Sequence, residues 1–185
     1  SGINLYFLLT ISSVGLILLS YMIIYIPKFN YIKARIFSFF DKETGTHNFQ
    51  SDKAIESITS GGFFGKGIGE GTLKNRVPEA HTDYIISVIS EEFGVIAIIL
   101  ILILFLVLIY MVFKKISFET EEQNKLILIG SVSLILMQAT IHIGVNIRLF
   151  PTTGMTLPFL SYGGSSIVST SILTGIILNL TKRKI

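Results

Sequence analysis

The sequence contains no cysteine and few charged residues, and both shortages narrow the class of protein it can encode. Without cysteine, neither a disulfide nor a thiolate metal site can form within it. Charged residues make up 15% of the chain, against about 25% in soluble domains. The formal net charge of +3 is small and scattered, so it does not indicate a nucleic-acid partner. The composition favours a protein of the lipid bilayer.

Four apolar segments of helix length follow one another along the chain. None alternates polar and apolar residues with period two, which argues against a membrane β-barrel. Phe93–Phe113 carries no charged residue and is long enough to cross a hydrocarbon core of about 30 Å. We therefore expect an all-α polytopic membrane protein with four transmembrane helices and one large extracytoplasmic loop. The predicted helices cover residues 1–26, 84–113, 126–147 and 158–181.

The positions of lysine and arginine predict the orientation of these helices. Basic residues cluster in the predicted loop 114–125 and in the tail 182–185. Helices that alternate in direction place these two regions on the same side, and the positive-inside rule makes that side cytoplasmic. Residues 27–83 then form a large periplasmic loop, which is too long for a simple connector. Residues 148–157 form a second, short periplasmic loop.

Residues 61–71, the glycine-rich segment, follow two predicted helices of the large loop, Tyr31–Phe40 and Ser51–Ser60. A flexible linker is one interpretation, but Phe63 and Phe64 interrupt the segment, and linkers are usually rich in glycine and serine. Glycine also permits positive φ and a close backbone approach to a ligand, so we favour a shaped binding loop. A dinucleotide-binding fingerprint does not fit, because no predicted strand precedes the glycines.

Residues 78–83, Pro-Glu-Ala-His-Thr-Asp, form an acidic motif directly before the second predicted membrane helix. Ionisable groups at such a border favour chemistry, because they are costly to place near hydrocarbon. Asp83 could cap the helix or act as a general base at the membrane surface. Glu79 could tune Asp83, bind a divalent cation with it, or lie in water. His81 lacks a second histidine at metal-binding spacing, so the sequence does not favour zinc.

Four cationic residues are candidates for binding phosphate groups. Lys66, Lys74 and Arg76 lie just upstream of the acidic motif, beside or within the glycine-rich segment. Arg148 lies at the outer end of the third predicted membrane helix. Cations grouped in this way at a membrane surface suit phosphate recognition, and the alternative is a set of scattered surface charges.

Polar side chains also occur within the predicted membrane helices. Gln138, His142 and Asn146 are spaced by four residues, which puts them on one helical face. We favour hydrogen bonding to neighbouring helices, with the wall of a polar cavity as the alternative.

The start of the fourth predicted helix contains Ser161 and Ser165 around a glycine pair. Small residues permit close helix packing, or else leave irregular backbone that lines a cavity. No Gly-x-Ser-x-Gly elbow is present, so a serine hydrolase is not indicated.

Five motifs in a fixed order resemble the SEDS family of bacterial polytopic membrane proteins, which comprises FtsW, RodA and SpoVE. The resemblance covers nearly the whole chain, and residues 69–74 are more similar to the FtsW branch. The chain has no initiator methionine, which makes us expect the C-terminal part of a longer protein of about ten transmembrane helices. The motifs are Gly61–Gly67, Pro78–Tyr84, Glu91–Gly94, Pro151–Gly154 and Leu157–Ser166.

The resemblance implies a peptidoglycan glycosyltransferase that polymerises lipid II into glycan strands by an inverting mechanism. It implies that Asp83 is the catalytic base, with Glu79 in the same motif. The expected partner is a class B penicillin-binding protein transpeptidase, together with other divisome proteins, at the septum of the bacterial cytoplasmic (inner) membrane. Many FtsW-like members carry lysine where this chain has Thr153, so either another cation such as Arg148 substitutes for it or the lysine is not essential.

Two other functions fit the same residues. A lipid II flippase would use the same polar helix faces without making a bond, and a non-catalytic divisome scaffold would use the large loop to dock a partner. We take His81, Ser161 and Ser165, with the four cations, as the substrate-binding candidates. A divalent cation could also assist departure of the pyrophosphate.

Overall fold

The computed structural model describes residues 4–40, 46–77 and 79–182. Pro78 of the acidic motif and the basic tail from Arg183 onward lie outside the described residues. The chain divides into two units, residues 1–48 and 49–185. No strand occurs among the described residues. The helices are α1 (Leu5–Tyr25), a short 3-10 helix (Pro27–Phe29), α2 (Asn30–Phe40), α3 (Thr46–Gly61), α4 (Leu73–Arg76), α5 (Ile85–Phe118), α6 (Glu122–Asn146) and α7 (Gly164–Thr181).

Four of these helices, α1, α5, α6 and α7, are long and apolar enough to cross a membrane. This finding confirms the prediction of an all-α chain with four long apolar helices. The helices predicted over Tyr31–Phe40 and Ser51–Ser60 also form, as α2 and as most of α3.

In the first unit, α1 begins and ends at residues that suit these positions. The side chain of Asn4 accepts a hydrogen bond from the backbone N–H of Tyr6 at 3.2 Å, which caps the first turn. The helix stops before Pro27, because proline disfavours helical geometry in the residue that precedes it, here Ile26. No stretch of α1 is buried within the structure, so its apolar surface requires apolar surroundings.

Three boundaries of the last three membrane helices differ from the sequence prediction by four residues or more. Helix α6 begins at Glu122 and not at residue 126. Helix α5 continues past Phe113 to Phe118, so Lys114 and Lys115 lie in its last turns and not in a loop. Helix α7 begins at Gly164 and not at residue 158. The reason is that Phe159 has φ 68°, which a helix cannot accommodate.

The second unit contains the buried core that positions the acidic motif. One cluster joins α3, α4, the start of α5 and the end of α6, and includes the fully buried ring of Tyr84. A second cluster packs α5, α6 and α7 together around Ile135. The residue that follows Asp83 is therefore anchored in the core. The first cluster consists of Ala54, Leu73, Val77, Ala80, Tyr84, Val88 and Val145.

Candidate functional site

The acidic motif folds into a tight turn ahead of α5. The backbone N–H groups of Thr82 and Asp83 both donate to the carbonyl of Glu79, at 3.0 and 3.1 Å. The Thr82 hydroxyl donates to the same carbonyl at 2.9 Å. Glu79 itself has φ 63°, a conformation that is uncommon outside glycine. The motif thus has a defined shape and is not an extended linker.

Three consecutive carbonyl groups of this turn are held by residues from elsewhere in the chain. The backbone N–H of Tyr162 donates to the carbonyl of His81 at 3.1 Å. The hydroxyl of Ser161 donates to the carbonyl of Thr82 at 2.8 Å. The side-chain amide of Asn146 donates to the carbonyl of Asp83 at 2.9 Å. The backbone of the motif is fixed in this way by groups outside the motif.

The exposure of these side chains differs along the turn. Glu79 and His81 are exposed, and Asp83 is partly buried. A Cβ atom added to Gly154 would lie 3.8 Å from Oδ2 of Asp83, so this carboxylate faces the loop between α6 and α7, residues 147–163, which we call the connecting loop. A partly buried carboxylate on a fixed backbone is suited to accept a proton from a bound hydroxyl.

The sequence left open whether Asp83 caps the helix that follows it, and the residue at which α5 begins bears on this question. The N-cap residue is Tyr84, one position after Asp83. The side-chain oxygen of Asn146 accepts hydrogen bonds from the backbone N–H of Ser87, at 3.2 Å, and from its hydroxyl, at 2.7 Å. A residue of α6 therefore satisfies one of the free N–H groups at the start of α5.

Backbone strain is concentrated around the same turn. Among the described residues other than glycine, positive φ occurs only at Glu79, Arg148 and Phe159. Glu79 belongs to the acidic motif, and the other two lie in the connecting loop that holds it. Strained residues of this kind cluster at functional sites, where the surrounding structure maintains them. The distribution supports a candidate active site at this point.

The polar face of α6 forms hydrogen bonds to neighbouring helices, as we expected, and also to the connecting loop. Gln138 donates to the carbonyl of Thr156 at 2.9 Å and to the hydroxyl of Ser166, in α7, at 3.0 Å. Nδ1 of His142 lies 2.8 Å from the carbonyl of Met155, so this nitrogen carries the hydrogen. The bonds of Gln138 to α7 and of Asn146 to α5 support the interpretation of hydrogen bonding between helices, whereas His142 bonds to the connecting loop.

Close backbone approach explains the glycine-rich segment, but the neighbour is a helix and not a ligand. Helix α5 is kinked at Gly94, which has φ 78°. The backbone N–H of Val95 donates to the carbonyl of Gly62 at 3.0 Å. A Cβ at Gly94 would lie 2.1 Å from the carbonyl oxygen of Phe63, and one at Gly65 would lie 2.2 Å from that of Glu92. The segment is docked on the kink and is not a flexible linker.

Glu91 is a buried carboxylate whose importance the sequence did not reveal. Only 1% of its side chain is exposed. It accepts hydrogen bonds from the ammonium of Lys66 at 2.8 Å, from the hydroxyl of Thr72 at 3.0 Å, and from the backbone N–H groups of Thr72 and Leu73, both at 3.0 Å. These four donors attach Lys66 of the segment, and the two residues that follow the segment, to α5. The Glu91–Gly94 motif was the only signal of this function in the sequence.

The predicted phosphate-binding cations are paired with carboxylates of the chain. Lys66 pairs with Glu91, and Lys74 pairs with Glu92 at 3.1 Å. Arg148 pairs with Asp52, which is more than half exposed. Arg76 has only a long contact of 3.9 Å to the exposed Glu56. The two lysines are therefore paired with carboxylates that are buried or nearly so, while the two arginines are paired with carboxylates that are more than half exposed.

The two serines predicted to bind substrate lie in different surroundings. Ser161 is buried, and besides its bond to Thr82 it accepts from the backbone N–H of Leu157 at 2.7 Å. It therefore shapes the connecting loop. Ser165 is exposed in the first turn of α7. Within the described part of the chain, no group of three or more His, Asp or Glu residues is placed to hold a metal ion.

The chain has four helices that are apolar enough to cross a membrane, and directly before α5 it has an acidic turn whose carbonyl groups are held by hydrogen bonds. Together these features define a polytopic membrane protein with a candidate active site. The model of the FtsW/RodA/SpoVE family, described as a cell cycle protein, matches residues 1–185. The chain belongs to this family.

Individual relatives support this assignment. The chain is 36% identical, over 92% of its length and 46% of the relative, to "Probable peptidoglycan glycosyltransferase FtsW" of Enterococcus hirae. It is 37% identical to stage V sporulation protein E of Bacillus subtilis, over 72% of this chain and 37% of that protein. The chain thus spans less than half the length of these relatives.

A solved structure has the same fold. That structure is of a peptidoglycan synthase complex and concerns the structural coordination of polymerization and crosslinking. The TM-score is 0.70 at 25% identity, and the match covers 95% of this chain and 48% of the solved one.

Proposed function

We propose that the complete protein is a peptidoglycan glycosyltransferase that polymerises lipid II during bacterial cell division. The relatives named as glycosyltransferases support the reaction class. The observation that carries the proposal is the carboxylate of Asp83, partly exposed on a turn whose three carbonyl groups are clamped. A fixed backbone holds a general base within reach of its proton, which matters because small misplacements reduce rates strongly.

In the proposed reaction, Asp83 accepts the proton of the 4-hydroxyl group of the acceptor GlcNAc. The oxygen of that hydroxyl forms a bond to the anomeric carbon of the donor MurNAc, and the bond from this carbon to undecaprenyl pyrophosphate breaks. The α-linked donor becomes a β-linkage, so the reaction inverts and requires one base without a covalent intermediate. Glu79, exposed at the start of the same turn, tunes the charge near Asp83.

Departure of the pyrophosphate requires positive charge. The carboxylate with which each candidate cation is paired decides how easily that cation could bind the pyrophosphate instead. Lys66 is engaged by the buried Glu91, so moving it to a phosphate would leave that carboxylate uncompensated. Arg148 and Arg76 pair with exposed carboxylates, and such pairs exchange partners at little cost. We therefore assign the pyrophosphate to the arginines. A divalent cation held by protein side chains alone does not fit the described residues.

We propose that residues 27–83 and 148–157 lie on the periplasmic side of the cytoplasmic membrane and that 114–125 faces the cytoplasm. The lysines at the end of α5 and Lys182 after α7 support this orientation. Cysteine introduced at Thr153 should react with an impermeant reagent in intact cells, and cysteine at Glu121 should not. The reverse labelling pattern would place the candidate site on the wrong side.

We further propose that the complete protein contains about ten transmembrane helices and acts at the septum with a class B penicillin-binding protein and other divisome proteins. The solved synthase complex that unites polymerization and crosslinking supports such a partner. Co-purification of the complete protein with its transpeptidase from dividing cells tests the pairing. Recovery of the polymerase without any transpeptidase would argue against it.

The experiment that tests the proposed reaction is glycan-strand synthesis from purified lipid II by the complete protein carrying Asp83→Asn. Asparagine caps helices about as well as aspartate, so the variant should remain folded. Loss of a positioned base should reduce polymerisation by about 10²–10⁴-fold, while lipid II binding is retained. Glu79→Gln is the matched control and should reduce the rate less. Full synthesis by a well-expressed Asp83→Asn protein would refute the assignment of the base, whereas no synthesis by the unmodified complete protein would favour lipid II transport or a scaffold.

A further inference from the structure

The glycine-rich segment exposes two aromatic rings that nothing in the described residues covers. Phe63 is 75% exposed and Phe64 is 83% exposed. We call these two residues the aromatic tip. Both follow Gly62 and precede Gly65, two glycines with positive φ, so the tip is the outer edge of a sharp turn. Adjacent exposed phenylalanines on a tight turn require an apolar environment.

Hydrogen bonds to α5 fix the level of the tip along that helix. The carbonyl of Phe63 accepts from the backbone N–H of Ile96 at 3.4 Å. Residues Phe93–Phe113 of α5 contain no charge, so Ile96 lies just inside the stretch that would occupy hydrocarbon. The tip therefore lies at the edge of the apolar part of a membrane-spanning helix.

The next residues of the segment lie at a different level. The backbone N–H of Lys66 donates to the carbonyl of Glu91 at 2.8 Å, and that of Gly67 donates to the carbonyl of Glu92 at 3.0 Å. The charged pair of Lys66 and Glu91 thus lies on the other side of the kink from Ile96, which holds the tip. From the membrane surface toward the centre of the bilayer, membrane proteins have charged residues first, then aromatic residues and then aliphatic residues. The segment and α5 follow the same order.

The docking leaves the tip no freedom to withdraw from this level. The glycines at 65 and 94 permit contact between the two backbones, at distances where even a Cβ would clash. The apolar surface also continues onto α5 itself, where Phe93 and Ile96 are about half exposed. The tip and the apolar face of the helix form one continuous surface.

We propose that the aromatic tip inserts into the outer leaflet of the bilayer and acts as an interfacial anchor. By holding the glycine-rich segment at a fixed depth, it sets the height of the turn that carries Asp83 above the membrane. The level of the tip, beside the first residues of the uncharged stretch of α5, favours lipid as the occupant; cover by another segment of the longer chain or by a partner protein is an outcome of the test. The inference depends on α5 spanning the membrane and not on glycosyl transfer.

The test places an environment-sensitive fluorophore (NBD) on a cysteine at residue 64 of the complete protein, freed of other cysteines and reconstituted in phosphatidylglycerol–phosphatidylethanolamine vesicles. Its emission should be blue-shifted, and lipids with a spin label near the headgroup should quench it more strongly than lipids labelled near the chain end. The matched control is residue 70, where Glu70 is exposed in the same segment. There the fluorophore should report water and resist lipid quenching.

Two results would overturn the proposal. Water-like emission at residue 64 in vesicles would mean that the tip stays outside the bilayer. A blue-shifted emission that lipid-borne spin labels fail to quench would mean that protein, either the rest of the chain or a partner, covers the tip. Neither fluorescence measurement involves catalysis, so a negative result would not contradict the proposed polymerase activity. Likewise, an inactive Asp83→Asn protein would not contradict the insertion of the aromatic tip into the bilayer.

Discussion

The glycine-rich segment and the acidic motif are neighbours in sequence, yet they use backbone and side chains in opposite ways. In the glycine-rich segment, the ammonium group of Lys66 is paired with the buried carboxylate of Glu91, and the aromatic side chains are exposed. In the acidic motif, the backbone carbonyls are consumed and the ionisable side chains of His81 and Asp83 face outward or toward the connecting loop.

This difference shows why a charge in a sequence is a poor guide to a site. A lysine that faces a buried glutamate is part of the structure, because separating the pair would leave a charge without a partner. The carboxylate of Asp83 stands on a turn whose backbone is held through its carbonyl groups, so its position is fixed by groups other than the charges that a substrate would meet. The comparison predicts that damage to the first region reduces stability, and damage to the second reduces activity.

Gly94→Ala should produce the largest loss of stability. The substitution imposes a strained positive φ, worth about 1–3 kcal/mol, and a Cβ that would lie 2.1 Å from the Phe63 carbonyl oxygen, with overpacking worth about 1–3 kcal/mol more. The free energy of unfolding in mixed micelles should fall by roughly 2–6 kcal/mol in total.

Gly130→Ala is the matched control for this glycine. Nothing lies within 4 Å of the added Cβ there, and alanine favours helix over glycine by up to about 1 kcal/mol. Equal behaviour of the two variants would contradict the docking of the segment on the kink.

Glu91→Gln should have the next largest effect. The variant keeps the shape but removes the charge that faces Lys66 and turns one acceptor oxygen into a donor. We expect a loss of about 2–4 kcal/mol, below that of a fully buried pair because Lys66 can still reach water. Equilibrium unfolding measures the loss.

Glu92→Gln is the matched control for Glu91. Lys74, its partner, is partly exposed, so the loss should be only about 0.2–1 kcal/mol. A loss in Glu92→Gln as large as that in Glu91→Gln would contradict the distinction between the two ion pairs.

Asn146→Ala should cost the least stability of the three and yet affect activity. It removes the bonds to Ser87 and to the carbonyl of Asp83, for a loss of about 1–2 kcal/mol. Lipid II polymerisation should fall by about 10-fold or more, because the base loses its fixed position.

Gln138→Ala, on the same face of α6, provides the comparison. Its bonds reach Thr156 and Ser166 and no residue of the acidic motif. It should cost similar stability with near-normal polymerisation. If both variants polymerise lipid II equally well, Asn146 does not position Asp83.

Much of the fold could be predicted from the sequence, because membrane helices are a property of local composition. The four apolar helices follow from runs of apolar residues, and the hydrogen-bonding face of α6 follows from a spacing of four. The start of α7 could not be predicted this way. Residues from Pro158 are apolar enough for a helix, but Ser161 bonds to the acidic motif and Phe159 turns the chain instead.

The candidate site was predictable only in its central residue. Asp83 is conspicuous because a carboxylate at the border of a membrane helix is costly. Glu91 is not conspicuous in the sequence, because nothing in the adjacent residues distinguishes it from its neighbour Glu92. Only the tertiary structure makes one of them buried with four donors and leaves the other at the edge.

By itself, the sequence determined four apolar helices, the family and an acidic motif before one of the helices. Tertiary structure alone decided which charges are paired and which groups hold Asp83 in place. The reason is separation along the chain: Lys66 meets a carboxylate 25 residues away, and Asp83 is held by an amide 63 residues away. Hydropathy depends on neighbours in sequence, whereas the state of a charge depends on the neighbours that folding brings to it.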